Sequence, residues 1–526
     1  MDEQVDAIVV GGGHNGLICA AYLARAGLAT TVVEARTEVG GCASTVDAIG
    51  ARVNICNCDH IAFRTTPIAE ELELAAHGLE YIDVEPGSLA LNWSGANPWY
   101  IFSDLERTLE SLSLTHPGEV DNYRRYHRAA LPVARLILEM SQGTPTPGRA
   151  ARSALRSRGR GVATLLRWSR RSAAQVLRSF FDTEEVMAPV VHSGPAVWGI
   201  SPESPGSGLG AVGYALKSLH GVGRPRGGSG MVPATTAAAL LAAGGEIRTS
   251  SPVQRVLVEG DRIRGVVLGD GTELEAGVVV VACDPRDLFV EWVGGGIPAL
   301  ADLHRKWLGR PVREGYESKI DAVIGELPVL RDTARARPGE LGVDPLWGPT
   351  VLVSPDLAGM DRAHRLIGTG EVAERPLVFA NIASALDPTL RVGGPTGDHV
   401  LSLEVLFTPY SLKEGWKATR EPQRWLELFA DICEPGFLES VRRWRVMTPP
   451  DYEEQFNLHR GHAPAFAGGP VAALRGVDPE LSRYETPVEG LFLTGAATFP
   501  GAGVWGASGR NAAAVVLAGQ GLNLNP

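Results

Sequence analysis

The N-terminal glycine-rich motif constrains the fold more than any other feature of the sequence. Residues 5–10 predict a short buried strand, and the motif GGGHNG follows at once. Apolar residues at helical spacing then predict a helix, and residues 30–34 predict a second strand. Glu34 lies 23 residues after Gly11, close to the offset of about 20 at which an acid binds a ribose hydroxyl. This order predicts a dinucleotide-binding Rossmann unit.

The glycine positions suit the chemistry of a bound pyrophosphate. Gly11 permits the tight turn, Gly13 lets the backbone approach the diphosphate, and Gly16 lets the helix pack closely against the strand. Because a helix N-terminus attracts phosphate charge, we assign His14 and Asn15 to the same phosphate loop.

The residues that follow the ribose acid favour FAD over NAD. The chain continues ARTEVGGCAST, so an arginine and a pair of glycines come soon after the acid. In flavoproteins of the glutathione-reductase-like superfamily, a similar extension runs beside the pyrophosphate and the isoalloxazine. The predicted FAD contacts in this stretch are Glu34, Ala35, Arg36, Gly40, Gly41 and Cys42.

A segment in the middle of the chain predicts a strand meander. Residues 253–259 and 262–268 predict two strands that meet at a tight turn. A hairpin dipeptide, Asp-Gly, follows, and residues 278–282 predict an apolar strand that joins the N-terminal parallel sheet. Flavoproteins of this kind carry a valine at the start of such a segment, over the adenine end of FAD, and Val253 occupies that position.

The C-terminal segment predicts the third part of a flavin site. Residues 491–494 predict a strand, a glycine-rich loop follows, and a helix begins near Gly506. A helix N-terminus that points at the flavin favours the negative charge of the reduced ring. The predicted flavin contacts in this loop are Gly495, Gly503, Val504 and Trp505.

With these motifs in this order, the sequence resembles the phytoene-desaturase-like family of FAD-dependent oxidoreductases. The stretches VVGGGHNGLICAAYLARAG, EARTEVGGCAST, RGGSGMVPATTAAALLAAGG and GLFLTGAATFPGAGVWGASGRNAA carry the resemblance. The family includes carotenoid desaturases, a carotenoid ketolase group, retinol saturase and a pyridine-nucleotide-disulfide-oxidoreductase-like branch. The resemblance implies an α/β fold, in which a discontinuous glutathione-reductase-like FAD-binding Rossmann domain is joined to an α+β substrate domain.

The positions of the flavin motifs predict how the chain is divided. The FAD-binding domain comprises residues 1–85, 225–295 and 485–526, and the substrate domain comprises residues 86–224 and 296–484. We expect the active site at the junction of the two domains, over the flavin face.

An arginine-rich insert at residues 149–181 predicts a basic amphipathic helix. The segment from Arg149 to Arg178 contains nine arginines and no acid, and the insert also carries leucine, tryptophan and phenylalanine. Such a helix can lie on an anionic membrane surface, and a solvated helical lid or an oligomer contact is the alternative. The first residues lack the basic region of a secretory signal and no run of about 18 apolar residues occurs, so we expect a cytoplasmic protein, and peripheral membrane contact through the insert is one of the two alternatives.

Few titratable residues lie near the predicted flavin segments. Asp59 and His60 follow the paired glycines, and His462 lies in the stretch FNLHRGHAP. Histidine has the pKa range for proton transfer near neutral pH, so these three residues are the catalytic candidates. A structural or cofactor-orienting role is the alternative for each of them.

The six cysteines favour neither a disulfide scaffold nor a metal site. Cys42, Cys56 and Cys58 lie near His60, but the C-x-C-x-H spacing lacks the matched pairs of a zinc site. A redox pair of Cys56 and Cys58 would close a strained loop. We therefore predict no metal and assign these side chains to the lining of the flavin pocket.

The resemblance and the motifs together predict an FAD-dependent desaturase, dehydrogenase or oxidase. Its substrate is expected to be a small apolar or secondary-metabolite-like molecule, with hydride transfer to the flavin and reoxidation by oxygen or a quinone. A redox-neutral flavin-dependent isomerase and a non-catalytic flavin-bearing interaction protein remain alternatives. The formal net charge of −11 argues against a nucleic-acid partner.

Overall fold

The computed structural model describes residues 5–56, 58–93, 97–293 and 295–524. The strands are β1 (Val5–Val10), β2 (Thr30–Val33), β3 (Thr45–Ala48), β4 (Ala51–Asn54), β5 (Tyr81–Val84), β6 (Ser88–Asn92), β7 (Trp99–Ile101), β8 (Val222–Pro225), β9 (Glu246–Arg248), β10 (Val253–Glu259), β11 (Arg262–Leu268), β12 (Glu273–Val281), β13 (Glu317–Ile324), β14 (Thr350–Ser354), β15 (Leu377–Asn381), β16 (His399–Leu406), β17 (Val441–Met447) and β18 (Leu491–Leu493).

The α-helices follow the same numbering along the chain. They are α1 (His14–Arg25), α2 (Ile68–Glu71), α3 (Leu105–Thr115), α4 (Val120–Ser141), α5 (Pro147–Arg156), α6 (Val162–Trp168), α7 (Ala173–Leu177), α8 (Glu184–His192), α9 (Gly213–His220), α10 (Met231–Ala242), α11 (Ala301–Leu308), α12 (Leu357–Ile367), α13 (Glu421–Asp431), α14 (Phe437–Ser440), α15 (Pro449–Phe456), α16 (Gly469–Leu474), α17 (Pro479–Arg483) and α18 (Ala507–Gly519).

A first sheet brings the three predicted flavin segments together. Strands β18, β12, β1, β2 and β9 lie side by side and are parallel, and β10 and β11 extend the sheet from β12 as an antiparallel meander. The predicted strands at 253–259 and 262–268 have the observed bounds of β10 and β11. The predicted Rossmann architecture is therefore confirmed.

Alternating side chains of β1 fill two different cores. Ala7 and Val9 pack against the helices α1, α10 and α18, whereas Ile8 and Val10 pack against the meander and Phe289. A parallel strand that is buried on both faces needs this uninterrupted run of apolar residues. The run therefore fixes β1 at the centre of the FAD-binding unit.

A second sheet is mostly antiparallel and forms the predicted α+β part. Its strand order is β17-β13-β16-β15-β14-β6-β7, and β14 and β6 are its one parallel pair. One face carries Ile320 and Leu403, which pack with Trp425 and Phe429 of α13 in a large apolar core. The core thus joins strand β16 of the sheet to helix α13. The strands of both sheets come from separate stretches of the chain, and the domain boundaries at residues 85, 224, 295 and 484 stay a prediction.

The arginine-rich insert forms three short helices, α5, α6 and α7, in place of the single amphipathic helix that we expected. Gly159 and Gly161 lie between α5 and α6 with φ of 70° and 81°, a backbone that a helix does not continue. Trp168 and Leu177 are buried in the apolar core of this region, whereas Leu155 is exposed. Within the described ranges, no helix is long and apolar enough to cross a membrane.

Candidate functional site

Glu34, the predicted ribose acid, is held by the backbone of the glycine turn and of Arg36. The carboxylate of Glu34 accepts hydrogen bonds from the Gly12 N–H at 2.7 Å and from the Arg36 N–H at 2.8 Å. The segment that leads into β10 also joins here, because the Ser251 N–H donates to the Glu34 carbonyl at 2.8 Å. Val253, which begins β10 and is predicted to cover the adenine end of FAD, therefore lies two residues after a residue that bonds Glu34.

The paired glycines lie directly against the glycine turn. Gly40 donates from its N–H to the Gly12 carbonyl at 2.8 Å, and a methyl group on Gly41 would lie 3.3 Å from the Gly13 Cα. A methyl group on Gly13 would meet no atom of the protein within 4 Å, so this position faces open space. The two glycine segments thus form one cradle, open at the position predicted to face the pyrophosphate.

Three buried polar atoms at the cradle have no hydrogen-bond partner among the described residues: His14 Nε2, Asn15 Oδ1 and Arg36 Nη1. Burial lowers the pKa of His14 to about 4, against a hydrogen bond with the Gly503 backbone, so its ring is neutral. Buried polar atoms are almost always bonded in native proteins. A dinucleotide would supply the missing partners, because its pyrophosphate oxygens accept and its ribose hydroxyls also donate, and these residues therefore fit FAD.

The C-terminal loop closes on the same cradle. A methyl group on Gly509 of α18 would lie 2.2 Å from the Asn15 carbonyl oxygen, so α18 approaches α1 at backbone distance. Val504 packs against the apolar core around α1. The three predicted segments are therefore adjacent, as the sequence predicted, and the contacts of Gly495, Val504 and Trp505 with the flavin stay predictions.

His60 is bonded within the protein through both ring nitrogens. Its Nδ1 lies 2.9 Å from the Tyr81 hydroxyl and its Nε2 lies 2.8 Å from the Ser229 hydroxyl. Burial lowers the pKa of His60 to about 3, so the ring is neutral. These bonds leave neither nitrogen open for a substrate proton and favour the structural alternative for this residue.

Asp59 and His462 are also engaged. Asp59 accepts from Arg224 Nε at 2.6 Å and from the Thr350 hydroxyl at 2.5 Å. His462 is buried, its Nδ1 lies 3.4 Å from the Gly315 carbonyl oxygen, and burial lowers its pKa to about 4. Asp59 thus links the stretch after the cradle to β14, whereas His462 lies apart from the Asp59 bonding network.

A buried polar face on the second sheet was not predicted from the sequence. Alternate side chains of β13 (Glu317, Lys319 and Asp321) share one face with Ser402 and Glu404 of β16. Lys319 Nζ donates to the Asn54 carbonyl at 2.7 Å and to the Asp321 carboxylate, and Arg445 Nε donates to Asp321 at 3.0 Å. We call this set the polar wall: Glu317, Lys319, Asp321, Asn381 of β15, Ser402 and Glu404.

Two acids of the polar wall have strongly shifted pKa values. Burial raises the pKa of Glu317 to about 7, against the opposing effects of Lys319 and the Tyr452 hydroxyl. Burial, followed by the charge of Glu317, raises the pKa of Glu404 well above its ordinary value. Carboxyl groups tuned toward neutral pH are typical of acid–base sites. The available signal was the charged residues at every second position of the apolar strand ESKIDAVI.

The cysteines near the cradle contact different neighbours. A hydrogen bond with Cys42, followed by burial, raises the pKa of Cys56, whereas Cys58 lies 3.9 Å from Asn381 Oδ1. Within the ranges that the structure describes, no group of three His, Cys, Asp or Glu side chains is placed to hold a metal ion.

A cleft of about 720 Å³ lies at the ends of β6 and β14, between α8 and α12. Its lining mixes apolar side chains such as Trp93 with charged ones such as Glu185 and Arg362. The described lining includes none of the cradle residues, so this cleft is separate from the predicted FAD groove.

Two family models match the chain. One is described as an NAD(P)-binding Rossmann-like domain and matches residues 9–72. The other is described as flavin-containing amine oxidoreductase and matches residues 102–294. The first match covers the cradle and the second includes the whole strand meander.

Curated relatives match over nearly their whole length. The chain is 30% identical to pyridine nucleotide-disulfide oxidoreductase domain-containing protein 2 of Mus musculus, over 98% of this chain and 94% of that protein. It is 26% identical to one of the subunits of limonene dehydrogenase from Castellaniella defragrans, over 99% and 96%. It is 23% identical to a lycopene-forming phytoene desaturase of a Paracoccus species, over 96% and 95%.

A solved structure shares the fold. Cyclohexylamine oxidase from Brevibacterium oxydans superposes with a TM-score of 0.58 at 18% identity, and the match covers 99% of this chain and 100% of that chain.

Proposed function

Because the chain belongs to the phytoene-desaturase-like family of FAD-dependent oxidoreductases, we propose that it oxidises a small apolar substrate by hydride transfer to FAD. Two relatives are named for limonene and phytoene, both apolar hydrocarbons, and this favours a substrate of that class. Oxygen or a quinone is the proposed acceptor of the electrons.

The connection between the cradle and the polar wall is the observation that carries the proposal. The end of β4 contacts the second sheet through Asn54, whose carbonyl accepts from Lys319, and the next residue contacts α15, because the Ile55 carbonyl accepts from the Tyr452 hydroxyl at 3.2 Å. Both residues lie at the end of the β3–β4 hairpin, which begins after the paired glycines. Residues 41–55 therefore connect the cradle directly to the polar wall. This short connection supports a reaction centre between a cofactor held in the cradle and the groups of the polar wall.

The residues of the cradle define what the protein contributes to that reaction. The open position at Gly13 and the N-terminus of α1 would receive the pyrophosphate, and Arg36 would donate to its oxygens. When bound, FAD supplies a two-electron acceptor for hydride. The burial of the polar wall excludes water from the reacting atoms, and its acids can hold a proton.

Anaerobic reduction tests the proposal. The purified, FAD-loaded protein is mixed without oxygen with limonene or, in detergent, with phytoene, and the visible flavin band is followed. We expect bleaching with at least one apolar alkene and recovery of the band when oxygen or a soluble quinone is added. Product without bleaching would instead indicate the isomerase, and a flavin that dithionite and oxygen cannot reach would indicate the interaction protein. Either result contradicts the proposed oxidation.

Membrane contact through the insert is a second part of the proposal. Leu155 and Leu166 are 78% and 43% exposed among exposed arginines. We expect phosphatidylglycerol vesicles to carry the protein with them in a flotation experiment at low salt. We expect neutral phosphatidylcholine vesicles to leave the protein behind. Replacing both leucines by serine should weaken binding at least about tenfold, because burying one leucine contributes about 1.5–3 kcal/mol.

A matched control for the flotation experiment is Leu438→Ser, at a leucine that is 44% exposed on α14. This variant should float like the wild type. Equal recovery of all variants, or no recovery with anionic vesicles, would exclude membrane contact by the insert.

A further inference from the structure

Two buried glutamates are diagonal neighbours on the polar wall. Glu404 pairs with Lys319 across the β13–β16 ladder, and Glu317 lies two residues before Lys319, opposite Leu406. Diagonal residues on one face lie about 7–8 Å apart at their Cα atoms, within reach of long side chains. Glu317 and Glu404 are 7% and 4% exposed, so both carboxyl groups are withdrawn from bulk water.

Unpartnered polar atoms beside these glutamates indicate space for a reacting group. Within the described part of the chain, Glu404 Oε1 and Asn381 Nδ2 are buried without a hydrogen-bond partner. Asn381 follows two residues after Phe379, which pairs with Glu404, so both open atoms belong to one sheet face. A buried acceptor and a buried donor are rarely left open in the same place. Their side chains therefore line the position at which a ligand would be expected.

The charges around the glutamates allow one of them to ionise. The groups that face them are Lys319, Asp321, Asp59, Tyr316, Tyr452 and Cys56. Lys319 is the cation nearest to both, and it already bonds the Asp321 carboxylate. Two neighbouring buried carboxyl groups with one shared cation cannot both be charged at low cost. A pair that holds one proton is therefore favoured over a pair of two carboxylates.

We propose that the Glu317–Glu404 carboxyl pair accepts the proton that the substrate releases, an inference that rests on the proposed oxidation. One substrate hydrogen leaves with its electron pair for the oxidised flavin, and a hydrogen on the neighbouring atom leaves as a proton. The carboxylate of the pair binds that proton. The electron pair of the bond that loses the proton stays on the substrate and forms the new double bond. Oxygen or a quinone later removes the two electrons, and the pair returns one proton to solvent.

The first test needs no substrate. Infrared difference spectra of the FAD-loaded protein are recorded across pH in H₂O and D₂O. We expect the carbonyl stretch of a protonated carboxyl group at neutral pH, which disappears as the pH rises. Glu317→Gln or Glu404→Gln should each weaken it at neutral pH, because each removes one of the two carboxyl groups that burial favours in the protonated form. A band that neither substitution changes, or the absence of a band, would overturn the proposal.

A matched control is Glu314→Gln. Glu314 lies three residues before Glu317, bonds Arg460 at 2.5 Å and is 39% exposed. This variant should keep the wild-type spectrum, the wild-type rate of flavin reduction and its pH dependence.

The second test measures the rate of anaerobic flavin reduction by limonene or, in detergent, by phytoene. Either glutamine variant should retain FAD and lower this rate about 100-fold, the usual contribution of a positioned base. The wild-type rate should rise with pH as the carboxylate forms, and the variants should lose this rise. If the wild-type flavin bleaches and both variants keep its rate and pH profile, the oxidation stands and the carboxyl pair is excluded. If it does not bleach, the proposed function fails and the infrared result alone decides whether the pair exists.

Discussion

Gly13→Ala is expected to yield a folded protein that no longer retains FAD. Gly13 has φ of −68° and ψ of 166°, an extended backbone that alanine adopts readily, and its added methyl group meets no protein atom within 4 Å. The methyl group would instead occupy the space in which the backbone approaches the pyrophosphate. We expect FAD affinity to fall about 100-fold, or ~2.7 kcal/mol, measured by flavin fluorescence titration of the apoprotein.

Two other glycines make this result specific. Gly118→Ala also adds a methyl group that meets no atom within 4 Å, and it should keep FAD. Gly16→Ala places its methyl group 2.1 Å from the Gly11 carbonyl oxygen, so it should destabilise the apoprotein by about 1–3 kcal/mol. Wild-type FAD content in the Gly13 variant, with an unchanged thermal midpoint, would show that the pyrophosphate lies elsewhere.

The cradle could be predicted from the sequence because its determinants are local. The strand β1 and the turn at Gly11 follow each other within a few residues, and backbone geometry alone assigns a function to each glycine. The meander was equally accessible, since β10 and β11 are rich in β-branched residues and each is followed by a turn that contains Gly and Asp. Short-range patterns of this kind contain enough information to predict the element and its position in the sheet.

The polar wall could not be predicted because its members meet only through strand pairing. Glu317 and Glu404 are 87 residues apart in the sequence (404 − 317), and the register of β13 against β16 decides that they share a face. A shift by one residue would place Glu404 on the opposite face. For the same reason, the bonds of His60 to Tyr81 and Ser229 could not be foreseen. The catalytic candidates therefore came from proximity to motifs, which does not reveal hydrogen-bond partners.

Asp321→Asn is expected to cause the largest loss of stability in the polar wall. The Asp321 side chain is fully buried and accepts from Lys319, which is 1% exposed, and from Arg445, which is 19% exposed. Asparagine keeps the shape of the side chain and removes the charge, which leaves two cations without their carboxylate. Removing one partner of a buried ion pair costs about 3–5 kcal/mol. Urea unfolding followed by tryptophan fluorescence measures the difference.

The source of that loss can be separated from a simple packing effect. If uncompensated charge is responsible, adding Lys319→Met to Asp321→Asn should recover part of the stability, because one of the two cations is removed together with its carboxylate. Glu489→Gln breaks the Arg262–Glu489 pair, whose side chains are 60% and 66% exposed, and should cost no more than about 1 kcal/mol. A double variant less stable than Asp321→Asn alone would show that Lys319 stabilises the wall through its bond to the Asn54 carbonyl rather than through its charge.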